Sequence, residues 1–263
     1  MQPVPNTEDT IQDVVSAHVA WTGRDADSYL LQEPAFVNQR ATTPLLRKFE
    51  SRIQQPLFPC VGAKSAMTQN GIGFVVGGDL RAPEADDRIV MELQDFARDA
   101  ATDAVFVSKV VLFPSTPALD EQHFEAAMWQ RLQAFHTIDA VSHDWDPDVS
   151  CDPESSHFSM SIGGRGFYVI GLHPHASRAA RRFHCAALAF NLHSQFEALR
   201  ADGRYDKLRA SITERDIAFS GSRNPMLATH GVSSEARQYS GRQVDSDWRC
   251  PFNATNDGRH DAA

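Results

Sequence analysis

Two histidines and three arginines fall within ten residues of the stretch GFYVIGLHPHASRAARRF, residues 166–183. A neutral imidazole is a good ligand for iron, and one histidine is enough to hold a haem from its proximal side. The fork of an arginine guanidinium binds a carboxylate through two parallel charge-assisted hydrogen bonds, and haem carries two carboxylates. His173 beside Arg178, Arg181 and Arg182 therefore has the chemistry to hold an anionic, iron-bearing cofactor. If residues 178–182 are helical, the arginines stand at i, i+3 and i+4 and share a face, with Ser177 as N-cap and a further hydrogen-bonding group. The same residues also read as a solvated helix face after a strand-end histidine, and spacing alone leaves both readings open.

Other donors form a second tier. His173 and His175 alternate as strand residues do, so they could share one ion in a non-haem iron site, although Pro174 weakens the strand and no downstream acid and histidine complete a triad. His136 differs from the remaining histidines in falling on an apolar helical face. Cys60, in Phe58-Pro59-Cys60, could supply a thiolate, but an isolated cysteine is more often an inert core residue.

The elements that must position these groups follow from periodicity. Residues 10–18 set Ile11, Val14, Val15 and His18 on one face of a peripheral helix. Thr43-Pro44 predicts a capped helix start followed by Leu45, Leu46, Phe49 and Ile53. Asn70-Gly71 marks a turn before a strand at 73–76, and residues 87–101 carry a helical apolar stripe. VFVSKVVLF, residues 105–113, is rich in β-branched residues and predicts a strand in the middle of the sheet. Thr116-Pro117 predicts the start of a helix with Phe124, Met128, Leu132 and His136 in i, i+4 steps.

Residues 139–154 are dense in Asp and Pro, which is loop chemistry. Strands at 157–162 and 167–172 are joined by Gly163-Gly164-Arg165-Gly166 as a hairpin that delivers the chain to His173. Helices at 194–200 and 205–219 end at Gly203 and Gly221. Helices and strands without regular alternation predict an α+β fold, a single domain with a largely antiparallel central sheet flanked by helices.

Composition sets the outer bounds. A formal charge of −9 disfavours nucleic acid and favours cationic ligands. No apolar run is long enough to cross a membrane and residues 1–13 lack the blocks of a signal peptide, so a cytoplasmic protein is expected. The four cysteines are scattered without a CxxC, which signals neither zinc nor a disulfide framework. No GxGxxG offers a flavin or nicotinamide site.

Several segments resemble the YqcI/YcgG family of haem-dependent guanidino N-hydroxylases. They are LFPCVGAKSA (57–66), WQRLQAFHTID (129–139), HFSMSIGGRGFYVIGLHPHASRAARRF (157–183), LAFNLHSQFEALRADGRYDKLRASITERD, the SGSRNPM loop, ARQYSGR and the terminal CPF (250–252). The resemblance implies a catalytic domain over residues 41–252, after an N-terminal extension with its peripheral helix (1–40) and before a disordered tail (253–263).

It also implies a haem b monooxygenase that uses O2 and an external electron donor. The expected reaction is N-hydroxylation of arginine, an arginine-derived natural-product precursor or a related amino-heterocycle. His173 is then the expected iron ligand and His136 its rival, with Arg178, Arg181, Arg182 and Ser177 around the propionates. Asp139 becomes a substrate contact, and Trp145, Phe158 and Phe167 wall the pocket. The family usually has an aromatic residue where this chain has His157, so His157 bears on which substrate fits. The rival classes are a non-catalytic haem sensor or carrier and the non-haem iron enzyme built on His173 and His175.

Overall fold

The computed structural model describes residues 39–101, 105–227 and 232–254. The helix expected at residues 10–18 and the tail beyond 254 lie outside them. The described chain is α+β: seven α-helices and a five-stranded, mostly antiparallel sheet. In chain order the elements are α1 (Gln39–Gln54), α2 (Val61–Thr68), β1 (Ile72–Val76), α3 (Asp86–Asp99), β2 (Ser108–Phe113), α4 (Glu121–Asp139), β3 (Met160–Ile162) and β4 (Arg165–Leu172). A 3-10 turn (Ala179–Arg181), β5 (Ala186–Leu192), α5 (His193–Ala201), α6 (Tyr205–Ser220) and α7 (Ala236–Tyr239) complete it.

The sheet runs β1-β2-β5-β4-β3. β3 and β4 form the expected hairpin, pairing Ile162 with Arg165 across Gly163 and Gly164, whose φ values of 61° and 69° are cheap for glycine and costly for other residues. β4 pairs antiparallel with β5 from Phe167↔Leu192 to Leu172↔Ala187. The middle strand is thus β5, AALAFNL, while β2 lies beside it with all six residues buried. The β-branched run of β2 reflects cover on both faces, a property that does not by itself make a strand the central one.

The chain divides into two units. In the first, Val61, Ala66, Phe106, Leu199 and Leu208 form the core, and Cys60 caps α2 by accepting the Ala63 N–H at 3.3 Å. In the second, α4 is the main positioning element. Its start is displaced from Thr116-Pro117 because the Thr116 hydroxyl is taken by the Leu80 N–H at 2.8 Å, leaving Asp120 to cap the helix through the His123 N–H. Phe124, Met128, Leu132 and His136 are all buried along α4, as their spacing requires.

Residues 178–182 do not form the helix on which a shared arginine face depends. His173 N–H donates to the Arg181 carbonyl at 3.1 Å and Phe183 N–H to the His173 carbonyl at 3.3 Å. The chain is drawn back along the strand end, with room for only one 3-10 turn.

Candidate functional site

His173 sits at the end of β4 and is 1% exposed. Its ring stacks on Phe124 of α4, and both ring nitrogens are sealed from solvent without a hydrogen-bond partner. Burial pushes its pKa below the ordinary imidazole value, opposed by the nearby Glu121 carboxylate and, more weakly, by the Leu119 carbonyl, which completes no hydrogen bond of normal geometry. His175 is exposed, so the two imidazoles do not present a shared ion site.

The arginines after His173 are engaged with the backbone. Arg181 donates to the carbonyls of Gly171 (3.1 Å), Tyr239 (3.1 Å) and Gln238 (2.9 Å), clamping the β4 end to α7. Arg182 donates to Ala176 (2.7 Å) and Ser177 (2.9 Å) in its own turn. Arg178 is half-buried at the start of that turn, and the Ser177 N–H binds Glu121 at 2.8 Å rather than starting a helix.

His136, on α4 and 5% exposed, lies in a box of aromatic rings. Trp145 meets it edge-on with centroids 5.3 Å apart, and Phe252 lies 5.4 Å away. Phe252 also touches Phe158 (5.9 Å), Trp145 (6.1 Å) and Trp129 (6.3 Å), while Trp129 stacks on Tyr239 at 5.5 Å. His136 Nε2, Trp129 Nε1 and Trp145 Nε1 are sealed and unpartnered. Burial depresses the His136 pKa more than neighbouring Asp139 raises it, so the ring is neutral near pH 7.

Asp139 uses its carboxylate inside the fold: it accepts the Gly163 N–H on both oxygens at 3.0 Å and Gln94 Nε2 at 2.8 Å, with His143 Nδ1 at 3.3 Å. Phe167 packs in the core against Phe96 and Phe190. His157 is exposed at the end of the loop that carries Trp145.

Sequence reasoning assigned no role to a buried carboxylate network one turn from the start of α4. Glu125 accepts the Ser240 hydroxyl at 2.8 Å, Arg242 Nε at 2.9 Å and the Trp248 indole at 3.3 Å. Trp129, Tyr239, Trp248 and Phe252 were also without a role, as was Ser159, whose hydroxyl lies 2.8 Å from His193 Nδ1. Trp129, Tyr239 and Phe252 do lie in WQRLQAFHTID, ARQYSGR and CPF, three segments far apart in sequence that the fold brings together at Trp129.

Residues 49–253 match the family model described as the YqcI/YcgG family. The chain belongs to that family. It is also 29% identical over 203 residues, 72% of this chain and 74% of the relative, to DcsA of Streptomyces lavendulae, a protein named as an N(omega)-hydroxy-L-arginine synthase. No solved structure matches this YqcI/YcgG protein. Among its described residues no helix is long and apolar enough to cross a membrane, and no three His, Cys, Asp or Glu side chains are gathered as ion ligands.

Whether the site suits haem turns on its imidazoles. His136 and His173 are each neutral and buried with Nε2 unpartnered, the state in which an imidazole nitrogen can donate to iron. The donor chemistry fits. Because no solvent-sized space touches either Nε2, the surrounding rings must part to admit a macrocycle.

Proposed function

We propose that this YqcI/YcgG protein is a haem-dependent, O2-using N-hydroxylase of arginine, an arginine-derived precursor or a related amino-heterocycle. The observation that carries this reading is the match to the relative named as an N(omega)-hydroxy-L-arginine synthase over 72% of the chain. Neutral, unpartnered imidazoles in an apolar setting support the cofactor side of it.

His136 is the preferred iron ligand because Phe252, from the resembling CPF segment, packs on it, whereas Arg181 and Arg182, which recommended His173, serve backbone carbonyls. His173 stays as the rival. Arg178 stays a candidate propionate contact. Bound haem would supply the oxidation: O2, two electrons from an external donor and two protons turn an N–H into N–OH and release one water. The chain itself supplies burial that keeps the ligand imidazole neutral, Trp145 and Phe158 as flat walls for a planar substrate, and exclusion of water. His157, at the end of the Trp145 loop, bears on substrate choice.

Expression with haem supply, absorption spectroscopy and mass spectrometry of a guanidine and aminoheterocycle panel with O2 and a reductant test the reading. The expected result is a Soret band and a product 16 mass units heavier, the mass of one oxygen. Colourless protein that takes up no added haem overturns the cofactor assignment, and haem uptake without any hydroxylated product supports a sensor or carrier.

A further inference from the structure

We propose that Phe252 plugs a binding site walled by His136, Trp129, Trp145 and Phe158, which takes a planar ligand carrying a hydrogen-bond acceptor and no net charge at its buried end. It rests on the proposed function in placing the ligand where Trp145 and Phe158 wall the pocket, and it narrows the substrates named there to the uncharged amino-heterocycles.

Unmet hydrogen bonds mark the place. An indole N–H can only donate, and a sealed donor without an acceptor is costly. Trp129 and Trp145 each carry one, and the buried His136 Nε2 adds a third unpartnered ring nitrogen. All three rings pack on the same phenyl group, that of Phe252. The Trp248 indole, by contrast, reaches Glu125. Among the described indoles, the two with unmet donors are thus the two packed on Phe252.

The anchoring of Phe252 is graded along the C-terminal segment. Its root is held at buried Glu125 through Ser240 and Arg242. Its tip is held by exposed bonds: Gln133 and Asn253 exchange two at 2.9 Å, and the Cys250 N–H meets Glu154 at 3.3 Å. Exposed bonds of this kind open easily, so the tip can withdraw Phe252 while the root stays in place. Half-buried Trp145 forms the edge through which a ligand enters.

Charge narrows the occupant. A carboxylate would be buried without a cation, since Arg242 is spent on Glu125. An amidinium or guanidinium attracts aromatic faces but offers the indoles no acceptor. A neutral amide or heteroaromatic nitrogen satisfies them.

Four molecules of one shape decide it on the full-length, haem-free chain labelled with 15N: benzamide, benzoate, benzamidinium and toluene. Benzamide is expected to move two indole N–H signals, those lost in Trp129→Phe and Trp145→Phe. Loss of either donor should weaken it about fivefold, the worth of one hydrogen bond. Phe252→Ala should tighten it by about tenfold, because the plug no longer competes. If that variant folds poorly, Gln133→Ala loosens the Asn253 clasp without touching the box and should also tighten binding.

Toluene binding as well as benzamide would reduce the site to an apolar cavity, and preferred benzamidinium would make it a cation cage. Indole signals unmoved by every probe would mean that only buried water meets the donors. Each of these overturns the proposal. Because no haem is present, benzamide binding by a chain that never takes up haem would keep this site and remove the hydroxylase reading.

Discussion

The imidazole of His173 lies on the ring of Phe124 with centroids 4.3 Å apart and planes inclined by 17°. This contact joins the end of β4 to the first turn of α4. It also explains Gly171, where a Cβ would fall 2.7 Å from the Phe124 ring and 3.0 Å from the Tyr239 carbonyl.

That stack predicts the sign of one pH effect. Burial holds His173 and His136 below the ordinary imidazole pKa of about 6.5, so from there down to the folded values the unfolded chain holds more protons. Stability contributed by these rings is complete above that window and falls as pH drops through it. The melting temperature should decrease between pH 7.5 and 5.5, with a shallower slope in His173→Leu. An unchanged slope would show that burial in the fold does not shift the titration of His173.

A second prediction concerns Asp139. Its carboxylate receives both the Gly163 N–H, in a turn that needs positive φ, and Gln94, so it ties the β3–β4 hairpin to α3. Asp139→Ala should cost about 1–3 kcal/mol, the cost of leaving buried donors unmet. Urea denaturation of haem-free protein measures this. Full stability combined with weaker substrate binding would instead favour the substrate contact implied by the resemblance.

How much of this was legible in the sequence depended on whether a signal was local. The i, i+4 row from Phe124 to His136 and the Gly163-Gly164 turn were readable because helix and hairpin geometry are set by near neighbours. β5 was not: AALAFNL has an ordinary mixed pattern, and its central place comes from pairing with β4. The 3-10 turn at Ala179–Arg181 was hidden for a similar reason, since hydrogen bonds to His173 override a stretch that reads as helix. At the site, His136 could be singled out from its apolar face. The Phe252 plug and the Glu125 network join residues more than a hundred positions apart, which no window of sequence reveals.

The pair Asp86–Arg131 gives a third prediction. Both side chains are buried, Arg131 also donates to the Leu80 carbonyl at 2.9 Å, and Asp86 Oδ1 has no partner. Burial raises the Asp86 pKa against the pull of Arg131. Arg131→Met alone should cost about 3–5 kcal/mol because it strands a buried acid. The double variant Asp86→Leu with Arg131→Met should recover most of that loss, since it removes both desolvation costs. A double variant no more stable than the single one would mean the pair contributes net stability.

The last prediction separates two roles for Arg181. Three N–H···O=C bonds run from its guanidinium to Gly171, Gln238 and Tyr239, and Gly241, at φ 83°, lies against its side chain with Cβ space of only 3.1 Å. A lysine has the charge but not the fork that reaches three carbonyls at once. Arg181→Lys should therefore lose about 2–3 kcal/mol of stability in haem-free protein, roughly one net contribution for each charge-assisted bond lost. A propionate contact predicts a different pattern, in which the haem-free protein keeps its denaturation midpoint and only the affinity for added haem falls. Urea midpoints of the two proteins without haem, followed by haem titrations of each, distinguish the roles. A backbone clamp moves the first measurement, and a cofactor contact moves the second alone.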